Sequence, residues 1–187
     1  MRTVEDATGE RWDDLVAVFG TRGDPSRCWC QWFRHPRPGF YATTAEQRRT
    51  DLQTQLAAPP PPGVLAYDDT GAPPGWCAVA PRARQARLAS YPVAAVTTDE
   101  DGLWSVTCFV VRVGKRRQGL ATGLLDGAVD LARRHGARMV EAHPIDTTVR
   151  VAAAAELFHG PLSVFLRHGF TEVARTSKAR PVVRLAL

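Results

Sequence analysis

The strongest constraint on the fold lies in residues 103–136, where an apolar run passes through a basic turn into a leucine-rich helix. The stretch "LWSVTCFVV" is almost continuously apolar, which is typical of a strand in the middle of a covered sheet. After Gly119, leucine and alanine residues recur at helical spacing, and Gly136 ends the pattern. A further apolar strand, "RMVEAHP", follows. These segments predict a crossover β-α-β unit, so the fold class is α/β.

The rest of the chain shows shorter patterns on either side of this unit. They predict a strand in residues 1–8, helices over 10–20 and 43–57, a β-hairpin within 63–81, two helical pieces broken around Gly160-Pro161, and two final strands. Residues 21–40 and 82–102 are predicted to be irregular. No internal repeat or second domain is evident, so a single domain over residues 1–187 is expected.

Composition narrows the class of protein. The 187 residues carry a net charge of +5, which suits an anionic ligand. No arginine-rich helix with interleaved aromatic residues occurs, so nucleic acid is not an expected partner. No apolar run approaches the ~20 residues of a membrane span, and the acidic start lacks an apolar signal core. We therefore expect a cytoplasmic protein without a membrane partner.

The basic turn before the helix predicts an anion site. Lys115, Arg116 and Arg117 precede the helix start, where unpaired N–H groups and the helix dipole favour negative charge. Gly119 and Ala121 are small enough for a ligand to approach the backbone. The alternative is a solvated charged turn, but cations are unfavourable at a helix N-terminus unless an anion offsets them. A pyrophosphate or several phosphates are therefore expected.

Two common phosphate motifs do not account for this turn. A Walker A loop requires GxxxxGK followed by Ser or Thr, and that string is absent. A dinucleotide fingerprint is matched only in part by residues 119–123, with Glu141 as the downstream acid. This alternative is weakened because the arginines crowd the tight turn and too few residues follow for a doubly wound sheet.

The segment "RRQGLA" (116–121) resembles the Arg/Gln-x-x-Gly-x-Gly/Ala signature of the GNAT superfamily of N-acetyltransferases. The segments "GWCAVAPR", "WSVTCFVV", "MVEAHPID" and "FLRHGFTEVAR" follow the order of that family, and some bacterial members resemble this chain in a Cys-Trp-Cys segment near the N-terminus. The resemblance implies a central mixed, mostly antiparallel sheet, splayed between the fourth and fifth strands and flanked by helices.

The resemblance also implies how acetyl-CoA would bind as cosubstrate. Its pantetheine arm would pair with the end of "WSVTCFVV", and its pyrophosphate would rest on the turn and the first helical amides. The cofactor-binding residues implied are Phe109, Val110, Val111, Arg116, Arg117, Gln118, Gly119, Leu120, Ala121 and Thr122. Members of the family are often dimers, so a homodimer is allowed.

Acetyl transfer to an amine requires removal of a proton from the amine and a proton for the leaving thiolate. Glu141 and His143 share one face of their strand, so they are candidates for a base and its partner. The alternative for Glu141 is a buried carboxylate paired with an arginine. The resemblance places a tyrosine, the usual general acid of the family, at the position of Phe165. Ser163 and His168 are therefore substitute candidates, as is water.

The string "CWCQWFRH" (28–35) is the second unusual feature. Its Cys and His spacing matches no common zinc pattern, so no metal is expected. In the family, this region forms a wall of the acceptor pocket. Trp29, Trp32 and Phe33 are therefore candidates for an aromatic acceptor surface, with core packing as the alternative.

We therefore predict an acetyl-CoA-dependent N-acetyltransferase that moves an acetyl group directly to the primary amine of a small molecule. Two alternatives remain open: a protein or peptide N-acetyltransferase, and a non-catalytic acyl-CoA-binding module, which the missing tyrosine favours.

Overall fold

A computed structural model describes residues 3–90 and 101–187. It contains one seven-stranded sheet in the order β1-β2-β3-β4-β5-β7-β6. The strands are β1 (Thr3–Asp6), β2 (Gly63–Tyr67), β3 (Gly75–Pro81), β4 (Leu103–Val111), β5 (Met139–Ala142), β6 (Thr171–Ser177) and β7 (Arg180–Ala186). β4 and β5 pair in parallel and the other neighbours are antiparallel, which confirms the predicted mixed, mostly antiparallel sheet.

Six α-helices surround the sheet within the described residues. They are α1 (Trp12–Phe19), α2 (Asp24–Cys28), α3 (Arg37–Ala42), α4 (Ala45–Leu56), α5 (Leu120–Arg134) and α6 (Leu162–Arg167). The predicted helices α1, α4 and α5 are confirmed, and Thr44 caps α4 with a capping box. The prediction of an irregular connection over residues 21–40 is wrong, because α2 and α3 lie there. Both are too short to show an apolar stripe in the sequence.

The segment predicted as a loop over residues 82–102 is only partly described. It contains short 3-10 turns at Arg82–Arg84 and Ala86–Ser90, whereas residues 91–100, which hold most of its acidic half, lie outside the described residues. The two predicted helical pieces around Gly160-Pro161 are a 3-10 turn at Ala154–His159 and the helix α6.

Each face of the sheet is covered by a separate apolar cluster. On one face, α5 packs on β2, β3 and β4 through residues such as Leu124, Val79 and Val106. On the other face, α1 and α4 pack on the same strands through residues such as Leu15 and Trp76. Both faces of β4 are therefore buried, which explains its almost continuous apolar sequence.

The sheet divides where β4 and β5 part. β5 pairs only with the first half of β4, from Leu103 to Val106, although β4 runs on to Val111. A bulge interrupts the pairing of β3 with β4 at this same point, opposite Ala78 and Val79. Beyond the split, the 3-10 turn at Ala154–His159 packs against β4. The second half of β4 therefore has no β5 partner, in agreement with the predicted splay.

Within the described part of the chain, no helix combines the length and the apolar character needed to cross a membrane.

Close packing of β2 on β3 gives a test of the fold. A Cβ on Gly63 would lie 2.1 Å from the backbone oxygen of Cys77 and 2.6 Å from the Trp76 ring. Because the backbone cannot yield locally, we expect Gly63→Ala to lower the free energy of unfolding by about 2 to 3 kcal/mol in urea denaturation. Gly9→Ala is the control, since a Cβ there meets nothing within 4 Å. Equal stability of the two variants would contradict this packing.

Candidate active site

The start of α5 has the form of an anion site. Gly119 is its N-cap, with φ +77°, and no side chain caps the helix. A Cβ on Gly119 would meet nothing within 4 Å, so the helix start faces open space. Arg116 and Arg117 are exposed beside it, while Lys115 pairs with Asp68 at 2.9 Å. The first turn of α5 and two arginine side chains can therefore receive a pyrophosphate.

Phe109, Val110 and Val111 are the last three residues of β4, beyond its pairing with β5. Phe109 and Val110 are buried, and Val111 is half-buried. The three residues pair with β3 on one side only. A strand edge of this kind can hydrogen-bond to an extended ligand, as the amide groups of a pantetheine arm require.

Glu141 is the centre of a buried ion network in the middle of the sheet. The side chain is 1% exposed, and its Oε2 accepts hydrogen bonds from Arg184 Nε and Nη2 at 2.9 and 2.8 Å. Its Oε1 accepts a hydrogen bond from Arg82 Nε at 3.3 Å and lies 3.1 Å from His143 Nε2. The structure thus brings the two predicted catalytic residues together, and adds two arginines that the sequence analysis did not single out.

Glu141 stays ionised despite its burial because His143 and two arginines favour the carboxylate. Burial by itself raises the pKa of a carboxyl group, but here hydrogen bonds from His143 and Arg184 and the charges of His143 and Arg82 outweigh it, so the pKa of Glu141 is lowered. An ionised carboxylate fixes the orientation of the imidazole ring beside it.

The residues predicted to supply or replace the acid lie apart from this network. Phe165 is fully buried on α6 and makes edge contacts with Phe109 and Phe170, with ring centroids 6.0 and 5.3 Å apart. Ser163 is exposed in the first turn of α6. The position of the usual tyrosine is thus a packing position here.

His159 is a buried titratable group that the sequence analysis missed. It follows Phe158 at the end of the 3-10 turn, and its ring lies 5.7 Å from that of Phe33. Burial, followed by the charges of Arg180 and His143, lowers the pKa of His159 to about 3. A single histidine in an irregular segment has no periodic signal, so only the tertiary contacts reveal it.

Residues of the "CWCQWFRH" segment have different environments. Trp29 is 5% exposed in the core and stacks on Phe19 at 5.1 Å. Trp32 is half-buried under the Arg87 guanidinium, which lies 3.7 Å from the ring centroid. Phe33 faces Phe158 and His159. Phe33 is 2% exposed, so of the three aromatic residues Trp32 is the one that keeps part of its surface accessible.

The Cys30 thiol of this segment lies close to the Cys108 thiol of β4. Trp76 Nε1 donates a hydrogen bond to Cys30 Sγ at 3.1 Å. A hydrogen bond with Cys30, together with burial, raises the pKa of the Cys108 thiol well above its ordinary value. Cys108 is therefore held as a thiol beside Phe109, which makes it a poor nucleophile.

The comparison with known families agrees with this arrangement. The model of the acetyltransferase (GNAT) family matches residues 10–160. The chain therefore belongs to the GNAT family, and it is an acyltransferase. No curated protein matches the sequence of this chain.

Solved GNAT structures share the fold at low sequence identity. The structure of a GCN5-related N-acetyltransferase from Kribbella flavida has a TM-score of 0.57 and 17% identity, covering 100% of this chain and 98% of that one. The GNAT domain of S. lividans PAT has a TM-score of 0.59 and 18% identity, covering 98% and 89%. The PaiA N-acetyltransferase from Thermoplasma acidophilum, in complex with coenzyme A, has a TM-score of 0.54 and 10% identity, covering 100% and 99%.

The burial of Glu141 predicts a large effect of its neutralisation. Glu141→Gln leaves Arg82 and Arg184 without their anion, and we expect the free energy of unfolding at pH 7 to fall by about 3 kcal/mol. The control is Glu172→Gln, which removes a surface ion pair with Arg175 and should cost less than about 1 kcal/mol. Because the pKa of Glu141 is lowered in the fold, its stabilisation is present above about pH 4 and is lost as the pH falls further.

The buried His159 predicts a second pH dependence of the free energy of unfolding, this time from a group that the fold holds in its neutral form. Its pKa of about 3 in the fold lies below that of the unfolded chain, so only the unfolded state binds the proton between about pH 6.5 and 3. Lowering the pH from 7 to 5 should therefore reduce the free energy of unfolding by about 2 kcal/mol. The His159→Gln variant should not show this loss. His135→Gln, at an exposed position, should keep the pH dependence of the unmodified protein. Parallel curves for all three proteins would contradict the burial of His159.

Proposed function

We propose that this protein transfers an acetyl group from acetyl-CoA to the primary amine of a small molecule, directly and within a ternary complex. The observation that carries the proposal is the contact of His143 with the buried Glu141 carboxylate, on the strand that parts from β4. Membership of the GNAT family supports acetyl transfer as the reaction class.

The cosubstrate is assigned to the edge of β4 and the start of α5. Its extended arm would hydrogen-bond to the backbone of Phe109, Val110 and Val111. Its phosphates would be held by the residues around the helix start, which are Arg116, Arg117, Gln118, Gly119, Leu120, Ala121 and Thr122. The uncapped Gly119 and the exposed arginines support this assignment, because both favour an anion. When bound, acetyl-CoA supplies a thioester carbonyl that an amine can attack.

His143 is the proposed proton acceptor. The hydrogen bond to Glu141 orients the ring through Nε2, so in the neutral imidazole the basic atom is Nδ1. His143 takes the proton that the amine loses as its new C–N bond forms, and Glu141 stabilises the imidazolium. Glu141 acts through His143 and is a positioning residue.

The departing thiolate also requires a proton. Phe165 has no hydroxyl group to provide one, so Ser163 and solvent are the proposed sources. Direct transfer is favoured over an acetyl-cysteine intermediate, because the pKa of Cys108 is raised and its thiol is hydrogen-bonded to Cys30.

A small acceptor is favoured by the aromatic contacts around the network. Phe33, Phe158 and His159 pack together with Phe33 and His159 buried, which leaves little room beside them for a large acceptor group. Trp32 is half-buried under Arg87, and Trp29 packs in the core. A second candidate, a non-catalytic acyl-CoA-binding module, is favoured by the buried Phe165 alone.

The test combines thermal shift with a free-thiol release assay over a panel of small amines. Saturating acetyl-CoA, at 100 times its dissociation constant, should stabilise the protein by about 2.7 kcal/mol. With an accepted amine, His143→Gln should lower kcat by about 100-fold while leaving the KM for acetyl-CoA unchanged. His135→Gln is the control, because that histidine is exposed on the far end of α5.

The outcomes separate the candidates. A thermal shift without thiol release on any amine supports the binding module. Full activity of His143→Gln would show that His143 is not the proton acceptor. The absence of a thermal shift with acetyl-CoA would contradict acetyl-CoA as the cosubstrate.

A further inference from the structure

Glu141 and Arg184 face each other across two neighbouring strands. β5 and β7 are antiparallel, and Glu141 is directly opposite Arg184 in their register. The side chains of such a cross-strand pair lie on the same face of the sheet and contact each other. The Glu141 side chain is 1% exposed and that of Arg184 is 14% exposed, so the surrounding packing restricts the rotamers of both.

The two oxygens of Glu141 have different partners. Oε2 accepts hydrogen bonds from Nε and Nη2 of Arg184 at 2.9 and 2.8 Å. Oε1 accepts one from Arg82 Nε at 3.3 Å and lies 3.1 Å from His143 Nε2. Arg184 thus makes two short hydrogen bonds where Arg82 makes one long one. The rotation of the carboxylate is therefore determined mainly by Arg184.

The strand on the other side of β5 does not compete for this carboxylate. Ser105 on β4 is the partner of Glu141 in the parallel register and is fully buried. Its hydroxyl group has no hydrogen-bond partner among the residues that the structure describes. The orientation of the Glu141 carboxylate is therefore imposed from the side of β7.

The group that faces His143 determines which ring nitrogen carries the proton. An ionised carboxylate only accepts hydrogen bonds, so an oxygen beside Nε2 requires the N–H to be at Nε2 in the neutral ring. An N–H donor at the same place would require Nε2 to accept, and the proton would then lie on Nδ1. The effect on a histidine base is large: in Ser-His-Asp triads, changing the Asp to Asn produces the wrong tautomer and lowers kcat about 10⁴-fold.

We propose that Arg184 is a positioning residue: by holding Oε2 of Glu141, it turns Oε1 toward His143 and so keeps the proton of the neutral ring on Nε2. The inference rests on the proposed function for the use of Nδ1 as the base. The preference for one tautomer itself exists without any substrate, so it can be measured in the unliganded protein.

The first variant, Glu141→Gln, makes the two ends of the side chain unequal. The amide has one oxygen that accepts and one NH2 group that donates. Arg184 offers two N–H donors and Arg82 offers one, so the amide oxygen should turn toward Arg184. The NH2 group then faces His143. The neutral His143 ring should therefore carry its proton on Nδ1, the reverse of the unmodified protein.

Two double variants assign this effect to one arginine. Combining Glu141→Gln with Arg184→Met should restore the proton to Nε2, because the amide oxygen is then free to accept from Arg82 and His143. Combining Glu141→Gln with Arg82→Met is the matched control: it removes the other arginine and should leave the proton on Nδ1. An Arg184 that only stabilised the fold would give the same tautomer in both double variants.

The tautomers are measured by 15N NMR on protein labelled at histidine. The pH is raised until the His143 ring is neutral, and its signals are assigned by their loss in His143→Gln. Thermal unfolding verifies the fold of each variant. The unmodified protein and Glu141→Gln are sufficient for the test if a double variant does not fold, because their tautomers should differ.

Three results would overturn the inference: a proton on Nδ1 of neutral His143 in the unmodified protein, a proton on Nε2 in Glu141→Gln, or the same tautomer in both double variants. Thiol release with an accepted amine is measured separately. Glu141→Gln should lower kcat by about 10- to 100-fold, and the added Arg184→Met should restore part of it, with the KM for acetyl-CoA unchanged.

The two measurements separate this inference from the proposed function. The expected tautomers together with unchanged turnover would leave the role of Arg184 in orienting Glu141 standing and contradict His143 as the proton acceptor. A loss of turnover without any change of tautomer would overturn the inference and leave the proposed function standing.

Discussion

The rest of the site depends on one buried carboxylate. Glu141 lies in the middle of β5, where an uncompensated charge would cost several kcal/mol. Arg184 from β7 and Arg82 from the turn after β3 supply that compensation, and the three residues therefore hold separate parts of the sheet in register. His143 takes its orientation from the same carboxylate. The arrangement that stabilises the fold is thus also the arrangement that positions the proposed proton acceptor.

The parting of β4 and β5 separates the proposed cosubstrate site from the buried ion network. Where β4 ends, the chain turns into α5 through exposed arginines and an uncapped glycine, so the proposed recognition of the phosphates relies on backbone N–H groups and the helix dipole. Where β4 begins, β5 pairs with it and carries Glu141. The reacting groups would meet between these two regions, beside the edge of β4 that lacks a strand partner.

The main elements of the fold were predictable because their patterns are local. Apolar spacing and a terminal glycine identified β4, α5 and β5, and the helix predicted over residues 43–57 is α4. Helices α2 and α3 escaped prediction because they are short, carry proline as their second residue and have no buried residues, so no apolar stripe marks them in the sequence. The pairing of Glu141 with an arginine was one of two sequence-based readings, and the structure combines it with the contact to His143.

The sequence by itself determined the α/β class, the basic turn that leads into α5, and the absence of a hydroxyl group at Phe165. Tertiary structure alone decided which arginines neutralise Glu141, since Arg82 and Arg184 lie 59 and 43 positions away along the chain. It also placed Trp29 in the core and His159 beside Phe33. The physical reason is that helices and strands express local periodicity, whereas the partner of a buried charge is selected by the packing of the whole sheet.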